Sequence, residues 1–270
     1  MSPEEIRIVS PANPRVKAAV KLRQRSHRDE TGLMLIEGYR EILRALQNNH
    51  PLTELFYCRE LFLGKNEDSI LERCRAAGIP LRECAESVFA KLAYRDRPEG
   101  LLAVAPQLRR SLQDLSLPVR PLLVVVESIE KPGNLGTILR SADAAGADAV
   151  IVCDRCTDIN NPNVVRASLG VLFAIPVAEA STAETVSWLQ ERKIQMFAAS
   201  PHADTLYTHA NFTLPTAIVL GSEQYGLSEA WMRAATLRIK IPMLGQSDSL
   251  NVAAAATILL YEAVRQRSPE

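Results

Sequence analysis

Residues 122–140 read LLVVVESIEKPGNLGTILR, and this stretch decides the fold. Its first five residues are apolar without alternation, the mark of a strand buried on both faces of a parallel sheet. Pro132-Gly133 then turns the chain, and Asn134 reads as the cap of a helix that carries Arg140 less than two turns later. Strand, turn and helix in that order make one βα unit. The same pattern continues downstream, with strands at 149–152, 175–177, 196–199, 217–220 and 237–241. Helices alternate with them at about 134–145, 163–168, 183–191, 228–235 and 251–266. The expectation is a parallel α/β domain over residues 121–270.

Upstream, residues 107–120 have mixed polarity, a proline and no period, and read as a linker. Residues 1–106 read as a smaller α/β/α domain. Asn13-Pro14 opens a helix running through Arg28 with Val16, Ala19, Val20 and Leu22 as its apolar stripe. Strands at 33–36, 52–58, 81–84 and 101–105 alternate with helices at 39–48, 69–77 and 87–92.

The 270 residues are 47% apolar and 23% charged, which excludes long disorder. No apolar run reaches the roughly 18 residues that cross a bilayer, and the N-terminus lacks the apolar core of a signal peptide, so a cytoplasmic protein is expected. Five cysteines are an odd number for a disulfide framework. Cys153 and Cys156 form a single C-x-x-C, half of a zinc site at most, so no metal is expected.

The formal charge is zero, but it is unevenly spread. Residues 1–28 hold Arg7, Arg15, Lys17, Lys21, Arg23, Arg25 and Arg28 against Glu4 and Glu5, whereas residues 111–270 hold 12 basic and 16 acidic side chains. The basic end is either a solvated helix face or a grip for an anionic partner. Tyr39, Phe89 and Tyr94 are read as core residues before stacking platforms.

Three loops, each after a buried strand, hold polar and small residues that a plain connection does not need. The first is 127–140, whose Asn134 and Gly136 leave a helix start open to an anion. The second, LGSEQYG at 220–226, has glycines at both ends but neither the G-x-G-x-x-G fingerprint nor a P-loop. The third, IPMLGQSDSLNVAAAATILLYEAV at 241–264, places Ser249 and Asn251 at the mouth of an alanine-rich helix.

In this order the three loops resemble the SpoU/TrmH family of RNA ribose 2'-O-methyltransferases, within the SPOUT superfamily. The matching pieces are NLGTILR at 134–140, LGSEQYGLS at 220–228, and IPM with SLNVA at 241–253. DINNPNVVRASLG at 158–170 is also similar, and NPRVKAAVKLRQRSHRDETGLMLIEGYREI at 13–42 resembles the rRNA substrate-binding domain of the thiostrepton-resistance-type members. The resemblance implies a C-terminal trefoil-knotted parallel-sheet domain, a topology otherwise nearly absent from proteins, behind a smaller N-terminal RNA-binding domain. It implies S-adenosylmethionine as cofactor, held by Leu220, Gly221, Ile241, Met243, Leu250 and Ala253. It places Arg140 at the catalytic position with Asn134, Glu223, Ser249 and Asn251 around it. It further implies a homodimer, and rRNA, 23S favoured, as the partner of Arg15, Lys17, Lys21, Arg23, Arg25 and Arg28.

Ribose 2'-hydroxyls are poor nucleophiles, so such a site must align the hydroxyl and assist its deprotonation. Arg140 fits either as a strongly perturbed base or as a charged group that holds phosphate and stabilises the developing alkoxide. Glu223 is an acidic side chain able to orient it. A catalytically silent RNA-binding protein of the same fold is the alternative. A nucleotide-dependent oxidoreductase lacks its phosphate fingerprint.

Overall fold

The computed structural model describes residues 6–268; Glu4 and Glu5 of the N-terminal charge balance lie outside them. The chain packs as two compact units, Met1–Leu108 with Asp158–Ala174, and Arg109–Thr157 with Ile175–Glu270.

The first unit contains β1 (Ile6–Ile8), α1 (Pro14–Lys21), α2 (Arg25–Thr31), β2 (Leu33–Glu37), α3 (Tyr39–Gln47), β3 (Glu54–Tyr57), α4 (Glu67–Ala76), β4 (Leu81–Cys84), α5 (Glu86–Leu92) and β5 (Leu101–Pro106). The strands form one mixed sheet in the order β1-β4-β3-β5-β2, with β5 antiparallel to both neighbours. Val16, Ala19 and Leu22 of the α1 stripe and Val88, Phe89 and Leu92 of α5 cover one face, over Leu35, Phe56 and Leu102. Phe89 is thus core, as its reading expects, while the Tyr94 hydroxyl accepts from Asn163 Nδ2 at 2.9 Å.

The predicted helix from Pro14 through Arg28 is two helices. Arg28 is only 1% exposed. Its Nη1 donates to the carbonyls of Leu22 and Arg23, both at 2.9 Å, while its Nη2 donates to Asp158 at 2.6 Å. Past Lys21 the backbone bonds tighten to three-residue spacing, Leu22 to Ala19, Arg23 to Val20 and Gln24 to Lys21, and the Leu22 and Arg23 carbonyls accept from the guanidinium where the first helix ends. The partner explains why the stretch 158–170 groups with the first unit although it follows the second unit's opening strands. Helix α7 (Pro162–Ala167) packs on β2, and Leu169 O accepts from Arg44 Nη1 at 2.5 Å.

In chain order the second unit contains β6 (Leu122–Glu127), α6 (Pro132–Ala144), β7 (Ala149–Cys153), β8 (Val177–Ala180), α8 (Thr182–Glu191), β9 (Gln195–Ala199), β10 (Thr205–Leu206), β11 (Thr216–Leu220), α9 (Glu229–Ala234), β12 (Leu237–Lys240) and α10 (Val252–Arg267). All seven strands are parallel, in the order β10-β12-β9-β11-β6-β7-β8. Trp188 and Leu189 of α8 and Trp231 of α9 cover one face, over Leu123, Val125, Ile151 and Val219. Helix α10 packs against α6 and β11, and α6 against β7. The strand expected at 175–177 begins later, at Val177. Pro176 has no N–H for a ladder and contributes only its carbonyl, which accepts from Val150 N at 2.9 Å. Strands β1 and β10, three and two residues long, carry too little pattern to be read in advance.

Among the described residues no helix is long and apolar enough to cross a membrane, and no group of three or more His, Cys, Asp or Glu is arranged to hold a metal. Cys153 is buried with its thiol on Thr185, and burial pushes its pKa up to about 12.

Candidate active site

The carboxyl ends of β11 and β12 open onto a cavity of about 530 Å³, within the usual range for small-ligand sites. Leu220, Gly221, Ile241, Met243 and Leu250 line it, as do Glu223 and Ser249. Ala253 does not. It is buried in the first turn of α10, and its N–H is taken by the Asn251 side chain at 3.0 Å. Ala255 and Leu259, further along α10, face the cavity instead. The walls are mainly apolar, and Ser222, Gln224, Asp248 and Ser249 supply scattered polar groups.

The second loop closes on itself. Ser222 and Gly226 exchange both backbone hydrogen bonds, at 3.1 and 3.0 Å, and Gly226 takes φ +69°. A Cβ on Gly221 would lie 2.2 Å from the carbonyl carbon of Gly226 and 2.3 Å from the Leu227 nitrogen. Gly221 is therefore required by the loop's own backbone, whatever lies in the cavity.

Three segments meet beside this loop. Asn251 caps α10 with its side-chain oxygen, and its Nδ2 donates to Asn134 Oδ1 at 3.2 Å and, more loosely, to Glu223 Oε1 at 3.5 Å. Asn134 is not the cap of its own helix. Pro132, with its φ already helical, sets the start two residues earlier, with Lys131 as N-cap. Asn134 thereby points its side chain at Asn251, and its Nδ2 is buried with no hydrogen-bond partner among the described residues. A buried donor left unpaired costs about 1–3 kcal/mol, which a ligand acceptor would remove.

Glu223 does not pair with Arg140. Its Oε2 lies 2.8 Å from Lys131 Nζ, a bond that also raises the lysine's pKa. Arg140 is exposed on α6, outside the cavity lining, and bonds no other described residue. Lys131 is the member of this cluster that sequence reasoning missed. A lysine at a helix start opposes the macrodipole, and that broken local rule was the available signal.

On the first unit, Lys17, Lys21 and Arg25 are exposed and Arg15 is exposed beside Glu54. Arg28 is removed from the RNA-facing set by its burial. Arg23 is half-buried, with Nη2 on the carbonyls of Lys91 and Ala93 at 2.7 and 2.6 Å.

The SpoU rRNA methylase family matches residues 121–261, and the MRM3-like substrate binding domain matches residues 13–103. A 23S rRNA (uridine(2479)-2'-O)-methyltransferase of Streptomyces viridochromogenes is 34% identical, over 91% of this chain and 87% of its own. A solved RNA 2'-O ribose methyltransferase superposes with a TM-score of 0.85 at 44% identity, covering 97% of this chain and 99% of that one. The AdoMet-bound rRNA methyltransferase of Sinorhizobium meliloti does so with a TM-score of 0.89 at 32% identity, over 97% and 98%. Fold, site and relatives define an S-adenosylmethionine-dependent RNA 2'-O-methyltransferase. The chain belongs to the SpoU rRNA methylase family.

Proposed function

We propose that the protein methylates a ribose 2'-hydroxyl of ribosomal RNA, with 23S rRNA the favoured substrate, in the cytoplasm and as a homodimer. The observation that carries the reading is the joining of the three family motifs at one place: Asn134, Glu223 and Asn251 share hydrogen bonds at the rim of an apolar cavity. S-adenosylmethionine supplies the methyl group. A cavity with apolar walls and a few polar groups fits a cofactor that combines a nucleoside with a methionine. Leu220, Gly221, Ile241, Met243 and Leu250 would hold it. We infer a knotted path from family membership.

The chain's own groups divide the work. Arg140 has no carboxylate partner among the described residues, so its guanidinium serves as a charged fork for an RNA phosphate and for negative charge building on the 2'-oxygen. This favours charge stabilisation over a general-base role. The unpaired Asn134 amide donates to an acceptor of the bound reactants, with Asn251 fixing its orientation. Ser249 offers a hydroxyl at the cavity wall. Lys17, Lys21, Arg15 and Arg25 give sequence-independent affinity for the phosphate backbone. The substrate-binding role of the first unit rests on the match to residues 13–103.

The experiment that tests this reading is transfer of tritiated methyl from S-adenosylmethionine to rRNA of a deletion strain, followed by mapping of the modified ribose. A single 2'-O-methyl site is expected. Absence of label, or label on a base, would overturn it.

A further inference from the structure

Lys131 is 70% exposed at the N-cap of α6, the position where a cation is least favoured. It is held there by Glu223, at 2.8 Å, and Glu223 in turn stands beside Asn251, which bonds Asn134. The chain Lys131–Glu223–Asn251–Asn134 thus ties together the start of the helix bearing Arg140, the loop after β11, and the cap of α10. Both of the latter segments border the cavity. We infer that Lys131 is a positioning residue for methyl transfer: through Glu223 it clamps the cavity loops to the start of α6. This inference rests on the methyl-transfer reading above.

Two arguments support a positioning role over a structural one. An exposed Lys–Glu pair contributes little to folding, so the fold has small need of it. Reaction geometry is far less tolerant, since a displacement of about 1 Å can cost on the order of 100-fold in rate. Lys131 also cancels the charge that Glu223 would otherwise present to RNA phosphates near the site.

The test compares wild type, Lys131→Met, Lys131→Arg, Glu223→Gln and the Lys131→Met/Glu223→Gln double variant in full-length protein. It measures kcat, KM for rRNA, S-adenosylmethionine affinity by calorimetry, and Tm. Lys131→Met is expected to lower kcat roughly 10-fold or more, by the sensitivity to alignment just given, with cofactor affinity and Tm nearly unchanged. Lys131→Arg should recover most of the rate, because a guanidinium can hold the same carboxylate. The double variant should be no slower than Glu223→Gln alone, because Lys131 acts through Glu223. A raised KM for rRNA at unchanged kcat would make Lys131 a plain phosphate contact and overturn the inference, as would a kcat equal to wild type. If wild type itself labels no rRNA, the methyl-transfer reading fails and the inference falls with it; if wild type is active and Lys131→Met matches it, only the inference fails.

Discussion

In the proposed mechanism Arg140 carries the charge chemistry, and it lies on α6 outside the lining of the cavity. Arg140→Ala should abolish methyl transfer while leaving S-adenosylmethionine affinity within about twofold, roughly 0.4 kcal/mol, as read by calorimetry beside a turnover assay. Arg140→Lys retains the charge and loses the planar fork. Substantial rescue by lysine would identify simple charge stabilisation as the main effect. Equal loss of cofactor binding and turnover in the alanine variant would refute the division between Arg140 and the cavity loops. Gly221 makes a second, steric case, because a methyl group there meets the backbone of Gly226 and Leu227. Gly221→Ala should open the loop, weaken cofactor binding and lower stability by about 1–3 kcal/mol, the usual cost of overpacking. A variant with unchanged calorimetric affinity would mean that the loop relaxes without disturbing the cavity.

At the scale of elements, the basic N-terminal helices hold two kinds of arginine that look alike in sequence. Lys17 and Lys21 lie in solvent and Arg25 is exposed beside Asp29, whereas Arg28 is the buried partner of Asp158. Neutralising Lys17, Lys21 and Arg25 together should flatten the salt dependence of RNA binding, each lost phosphate contact removing roughly 0.7 to 0.9 from the slope of log K against log salt. Their Tm should hardly move. Arg28→Ala should do the opposite: removing one member of a buried pair costs about 3–5 kcal/mol, seen in chemical denaturation, since Asp158 is left uncompensated. A normal melt for Arg28→Ala, or an unchanged salt slope for the triple variant, would reverse the assignments.

For the whole molecule, the segment Asp158–Ala174 matters most, because it belongs by sequence to the methylase family region and by packing to the first unit. A fragment spanning residues 109–270 would lose Arg28, Tyr94 and Arg44, the partners of Asp158, Asn163 and Leu169. It is expected to expose that segment, giving rapid hydrogen exchange over residues 158–174 and little RNA methylation, whatever cofactor binding survives. Protection equal to the full chain would show that the second unit holds the segment unaided. For the proposed homodimer, α10 leaves Ala254 exposed and Tyr261 49% exposed, a small residue beside an aromatic one on a face open to a partner helix. Light scattering at micromolar concentration should give twice the chain mass, and Tyr261→Asp should shift the protein toward monomer.

The sequence by itself determined the parallel unit and the order of its motifs. Runs such as LLVVV at 122–126 fit a strand buried on both faces, and the helices and strands expected are those observed, apart from the shortest strands, the ends set by Pro132 and Pro176, and the one helix read over 14–28, which is two. The family resemblance points to Leu220, Gly221, Ile241, Met243, Leu250 and Ala253, of which all but Ala253 line one cavity. Tertiary structure alone decided which charges are partnered. Coulomb attraction and hydrogen bonding depend on distances of a few ångströms between residues far apart in the chain, and no local period records them. The pairing of Arg28 with Asp158 spans 130 positions, and Lys131 meets Glu223 across the sheet's connections. So an arginine that reads as an RNA contact is a core residue, and Lys131, to which the sequence reading assigns no role, joins the site.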